Sequence, residues 1–143
     1  MVDVSLADSS ELEAVRGLLR AADLPVDGLL EVPTSLFVAR DGSRVVGAVA
    51  LERHGEDGLL RSLVVDPSRR GDGIGSRLAG AAEEEASRQG MAGVYLLTET
   101  AREFFAGRGY DTVARDGAPE PVMASIEWTV ACGETAVPMR KRL

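Results

Sequence analysis

The chain has 143 residues, 45% of them hydrophobic, and a formal net charge of -7. One domain of this length buries enough surface to fold without disulfides or metals. The acidic balance argues against nucleic acid, which calls for a basic stripe. No apolar run is long enough to span a bilayer, and Met1-Val2-Asp3-Val4 lacks the basic and apolar regions of a signal peptide. Cys132 and His54 are the single cysteine and histidine, a poor basis for a metal site, and Cys132 reads as a buried, inert thiol. These features predict a soluble cytoplasmic protein with no metal, no membrane and no nucleic-acid partner.

Residues 2–6 alternate as a first strand. Asp8-Ser9-Ser10 offers N-caps to a helix with Leu12, Val15, Leu18 and Leu19 on one face. Pro25, Gly28 and Pro33 then keep residues 24–33 in loop or short helix. Residues 35–40 and 45–54 read as strands joined by a turn at Asp41-Gly42. A second turn at residues 55–58 leads into a strand over residues 59–65. In that register His54 pairs with Leu59, and Glu52 falls opposite Arg61. Two readings of this pair stay open. It is a cross-strand ion pair, or Arg61 enters a cleft and binds a carboxylate through its planar fork while Glu52 orients it.

Asp66-Pro67 ends the strand, because proline cannot donate to a ladder. Gly71, Gly73 and Gly75 then bring bare backbone to a helix continuing through Ser76. Uncovered N–H groups and about half a positive charge at a helix N-terminus make a site for phosphate oxygens. The helix runs to about Gln89, and Gly90 stops it. Residues 94–97 form a buried strand, so strand, helix and strand make a parallel βαβ unit. Thr100 and Glu103 suggest a capping box for a short helix carrying Ala101, Phe104 and Phe105 inward. Residues 112–115 read as a strand and residues 121–130 as a helix, with Val122, Ile126 and Val130 four apart. Trp128 is assigned to the core rather than to a lid. Residues 136–140 form the last strand, with Pro138 at an edge.

Arg70-Gly71-Asp72-Gly73-Ile74-Gly75 matches R/Q-x-x-G-x-G/A, and with its flanking strand and helix resembles the acetyl-CoA loop of the GNAT N-acetyltransferases. Ala101-Arg102-Glu103-Phe104-Phe105 through Gly109-Tyr110 resembles the second motif of that family, A-x-x-F/L-Y-x-x-x-G-F/Y. More weakly, the chain is similar to the acetyltransferases of arsenic-resistance operons and to the acetyltransferase domain of acetylglutamate synthases. The resemblance implies a mixed α+β fold: an antiparallel meander followed by a parallel βαβ unit, with six or seven strands and four or five helices. It implies acetyl-CoA as co-substrate, held by Arg70, Gly71, Asp72, Gly73, Ile74, Gly75 and Ser76. Leu63, Val64 and Val65 would present backbone groups to the pantetheine arm and the thioester oxygen. Residues 24–33 would form one wall of the acceptor site.

The catalytic residues depart from the pattern. Relatives carry a tyrosine that protonates the leaving thiolate where this chain has Phe105, and a glutamate where it has Leu59. Glu52 and Glu99 are the candidate bases and Tyr110 the candidate acid; Arg61, Thr98 and Glu99 are the candidate acceptor contacts. A lysine-like amine is only about 0.1% neutral at pH 7, which adds roughly 4 kcal/mol to the barrier; an α-amine near pKa 8 adds about 1 kcal/mol. The expectation is an N-acetyltransferase, monomer or homodimer, acting on a small amine of low basicity, carboxylate-bearing if Arg61 reads it. Such acceptors would fit toxin or arsenic resistance or amino-acid metabolism. A peptide acetyltransferase and a non-catalytic CoA-sensing module are the alternatives.

Overall fold

The computed structural model describes residues 2–125, 127–131 and 135–143. Its strands are β1 (Val2–Leu6), β2 (Thr34–Asp41), β3 (Arg44–His54), β4 (Asp57–Val65), β5 (Gly93–Thr98), β6 (Asp111–Thr112) and β7 (Val137–Arg142). The helices are α1 (Leu12–Ala21), α2 (Ile74–Arg88), α3 (Arg102–Ala106) and α4 (Glu120–Met123), with a π-helical turn at Glu127–Ala131. The described strands form one mixed sheet in the order β1-β2-β3-β4-β5-β7-β6, with only β4 and β5 parallel. This is the meander followed by a βαβ unit that the motifs imply.

Helix α2 covers one face of the sheet. Ile74, Leu78, Ala82 and Ala86 pack with Val49, Leu51, Leu60, Val94 and Leu96. On the other face, Val15 and Leu19 of α1 meet Val38, Ala48, Ala50 and Val64. Further along that face, Leu59, Tyr95 and Leu97 pack against Val122 and Trp128. Trp128 is thus core, edge-on to Tyr95, with its indole N–H donating to the Arg115 carbonyl at 2.9 Å.

Four expectations need correction. The β3–β4 turn is tighter than the sequence suggests, because Gly55 adopts φ 69°, left-handed backbone that glycine enters freely. His54 therefore pairs with Asp57, and Glu52 opposes Leu59 rather than Arg61. Thr100 does not cap α3: its N-cap is Ala101, whose N–H donates to Thr98 Oγ1 at 3.0 Å. The strand expected at residues 112–115 stops at Thr112, since Ala114 already leads into a 3-10 turn at Arg115–Gly117. The helix expected over 121–130 is broken: Ser125 takes the Trp128 N–H on its hydroxyl at 3.2 Å and the Thr129 N–H on its carbonyl at 3.0 Å. Ile126 and Cys132 lie outside the described residues.

Strand β4 carries a bulge. Val64 pairs with Ala48 and Arg61 with Ala50, so two residues of β4 face Val49 alone, and Ser62 takes φ 62°. An extra residue reverses which face each later side chain occupies. Leu59 and Val64 consequently share one face of the sheet, while Leu60, Leu63 and Val65 serve the other.

Candidate active site

Strands β4 and β5 share only two rungs, Gly58 with Val94 and Leu59 with Tyr95. Gly58 leaves room there for the Met91 and Leu51 side chains: a Cβ would stand 2.8 Å from Met91 Sδ and 2.9 Å from Leu51 Cδ1. Beyond Leu59 the strands part, and backbone groups of β4 lose their β5 partners. Open α/β sheets bind ligands at the carboxyl ends of such strands.

Two cavities fill the opening. One, of about 400 Å³, is lined by Leu63, Val64, Val65, Arg69, Arg70, Gly71, Gly73, Ile74, Gly75, Ser76, Ala101 and Phe104. The loop glycines face it with positive φ, 92° at Gly71 and 76° at Gly73. Arg77 is the first residue of α2 whose N–H reaches a carbonyl, Gly73 O at 3.1 Å. The N–H groups of Ile74, Gly75 and Ser76 have no backbone acceptor among the described residues, so several donors and the positive helix end converge on one spot. Arg70 is exposed beside them without a hydrogen bond or ion pair among the described residues. Asp72 stands apart: it faces Arg69 at 3.6 Å and does not line the cavity.

The second cavity, of about 420 Å³, shares Leu63, Val64, Arg70 and Ala101 with the first. Residues 22–25 and 96–100 wall it, with Arg61, Ser62, Phe105 and Glu127. Thr98 lines it but is largely buried, its hydroxyl spent on the Ala101 N–H. Glu99 is exposed at the end of β5, accepting from the Thr135 hydroxyl at 3.0 Å. Phe105 closes the wall with a ring that has no proton to give.

Arg61 is fully buried. Its guanidinium reaches Glu52 Oε2 at 3.3 Å, Glu127 Oε1 at 3.6 Å, Ser62 Oγ at 3.2 Å and the Pro25 carbonyl at 3.4 Å. The other oxygen of Glu52 lies 2.8 Å from His54 Nε2. Arg61 therefore ties four cleft-forming segments together rather than presenting an open fork to a carboxylate. Glu52 sits behind it and does not line the cavity.

Tyr110 is core: 3% exposed, edge-on to Phe105 at 5.4 Å between centroids, and absent from both cavity walls. Burial and then the nearby Glu83 carboxylate push its hydroxyl far above the usual range. It is withdrawn as the acid. Asp23, Ser62 and Glu127 are cleft residues that the sequence did not single out. Nothing in the flanking pattern marks Glu127; it reaches β4 only through the broken C-terminal helix.

A family model described as "Acetyltransferase (GNAT) domain" matches residues 33–112. A curated relative, the "IAA acetyltransferase" of Azospirillum brasilense, is 33% identical over 114 residues, 69% of this chain and 74% of its own. Among solved structures, N-acetylglutamate synthase from Neisseria gonorrhoeae, complexed with coenzyme A and N-acetyl-glutamate, superposes with a TM-score of 0.83 at 20% identity over 100% of this chain. The present chain spans only 35% of that synthase. A Mycobacterium tuberculosis protein in complex with CoA gives 0.82 at 22% identity, covering 99% of each chain.

Proposed function

The chain belongs to the GNAT acetyltransferase family, and from that premise we propose that it transfers acetyl from acetyl-CoA to a small amine bound in the second cavity. The observation that carries this reading is the junction of the two cavities at the parted ends of β4 and β5. A phosphate-bearing donor threads from the glycine loop toward Leu63 and Val64, and an acceptor meets it from the side of residues 22–25, Glu99 and Glu127. The loop fits such a donor: Cβ atoms at Gly71 or Gly73 would meet no other part of the protein, and the left-handed backbone keeps the N–H groups bare.

Bound acetyl-CoA supplies the thioester carbonyl that the amine attacks. The residues of the chain divide the remaining work. The N–H groups of Ile74, Gly75 and Ser76, with Arg70, hold the pyrophosphate. Backbone of the Leu63–Val65 stretch, freed of β5, polarises the carbonyl oxygen. Leu63, Leu96 and Phe105 keep water from the thioester. Glu99, exposed at the cleft rim, takes the amine proton. The leaving thiolate, with a pKa near that of cysteine, about 8.5, departs without a general acid. With an exposed carboxylate as its base, the site favours amines of low basicity.

Thiol release from acetyl-CoA over a panel of α-amines, polyamines, arsenicals and basic peptides tests the reading. Turnover is expected with α-amines ahead of lysine-like ones. Coenzyme A binding without turnover of any amine would sink it. A second reading, a free amino acid as acceptor, draws on the likeness to the gonococcal synthase; under it glutamate leads the panel.

A further inference from the structure

We infer that Arg70 sets acceptor specificity by binding a carboxylate on the acceptor, so that the cleft takes amino-acid-like amines, the amine turned toward Glu99 and the carboxylate toward the junction of the two cavities. The inference rests on the reading that the second cavity takes the acceptor, and deepens it.

Five charged side chains line that cavity: Asp23, Arg61, Arg70, Glu99 and Glu127. Arg61 is buried and engaged with Glu52 at 3.3 Å, Glu127 at 3.6 Å, Ser62 Oγ and the Pro25 carbonyl. Arg70 is exposed and has no hydrogen bond or ion pair among the described residues. The acids of its own loop are committed elsewhere. Asp66 accepts from the Ser68 N–H and from Arg44, each at 2.9 Å, and Asp72 faces Arg69 at 3.6 Å. Of the two cations in the cavity wall, Arg70 is therefore the one open to a ligand.

Arg70 lines both cavities, at the end they share with Leu63, Val64 and Ala101. A guanidinium has five N–H donors, set along more than one edge. In the proposed complex the N–H groups of Ile74, Gly75 and Ser76 share the pyrophosphate with Arg70, which leaves an edge for a second oxyanion. A carboxylate fits such an edge bidentately. Asp23 and Glu99, exposed on the wall of residues 22–25 and 96–100, suit the amine of the same molecule. Water screens these two acids from a carboxylate at Arg70.

The test pairs acceptors that differ at the carboxylate: glutamine with glutaminamide, and glycyl-glutamine with glycyl-glutaminamide. Each pair competes in one vial, so the product ratio reads relative kcat/KM whatever the donor occupancy; it is expressed per neutral amine to remove basicity. The wild-type protein is expected to favour the carboxylate member of at least one pair by about tenfold at low salt. Arg70→Gln is expected to bring that ratio to roughly twofold or less, and Arg70→Lys, which keeps the charge but not the fork, to an intermediate value. The wild-type ratio is expected to persist with S-acetylpantetheine, a donor without the pyrophosphate. A role of Arg70 confined to the donor would slow both members of a pair alike and leave the ratio unmoved. If neither variant is recovered folded, the wild-type ratio is followed against KCl, where a preference based on charge shrinks and a steric one holds. No carboxylate preference in either pair, a ratio untouched in Arg70→Gln, or one insensitive to KCl overturns the inference and leaves the acetyltransferase reading standing. No turnover of any amine despite coenzyme A binding would remove both.

Discussion

Arg61 shows what one buried cation can hold. Its guanidinium joins β3 through Glu52, the loop after α1 through the Pro25 carbonyl, and the C-terminal segment through Glu127. Removing one partner of a buried ion group strands the others at low dielectric, whereas replacing the whole group can be neutral. Arg61→Met is therefore expected to lower unfolding free energy by about 3–5 kcal/mol in urea titration, and adding Glu52→Gln and Glu127→Gln to recover much of it. A loss confined to acceptor KM, with stability unchanged, would return Arg61 to the role of substrate ligand. Ser62 is the neighbouring strain point, a non-glycine residue at φ 62° within a strand. Ser62→Gly is expected to keep or raise the melting temperature, and Ser62→Val to cost about 1–2 kcal/mol, because a β-branched side chain crowds left-handed backbone.

At the scale of elements, the glycine loop and the first turn of α2 form one unit, which the proposed function uses to bind an anion. A side chain at Gly73 would meet no neighbour, so its cost comes from the backbone, held at φ 76°. Gly73→Val is expected to turn the N–H groups away and weaken coenzyme A binding by about 10–100-fold in calorimetry, with the sheet and its melting transition nearly intact. Unchanged affinity would mean that the donor is held elsewhere. The bulge in β4 is the second device. It puts Arg61 beneath the second cavity and Leu63 beside the glycine-loop cavity, which strict alternation would not do.

Across the whole molecule, charge sets the response to acid. The Arg40 side chain holds Glu11 below the usual carboxylate range, hydrogen bonds from Ser68 do the same for Asp66, and Arg88 does so for Glu85. A carboxyl whose pKa is lowered by folding adds stability above its unfolded value, and that stability is lost as pH falls through the folded one. Asp57, raised by burial, works in the opposite sense. With Asp41, lowered by the Arg69 side chain, four lowered groups against one raised predict a melting temperature that falls as the pH drops below about 4. A melting temperature that rises on acidification would show that burial costs outweigh these pairings. Among the described residues, no helix is long and apolar enough to cross a membrane.

The sequence by itself determined what depends on local chemistry. Apolar runs broken by Asp41-Gly42 and Asp66-Pro67 carried the meander, and glycines at 71, 73 and 75 before an amphipathic helix carried the proposed phosphate site. Both signals are contiguous, so backbone rules suffice to read them. The acceptor side was not legible in this way. Its register turned on a left-handed Gly55, its facing on a bulge at Ser62, and its buried ion group on Glu127, more than sixty residues from Arg61. Tyr110 has the chemistry of an acid but lies in the core, and Arg61 has the chemistry of a carboxylate ligand but is already engaged. Those outcomes follow from which distant carboxylates share a desolvated space, and tertiary packing alone decides that.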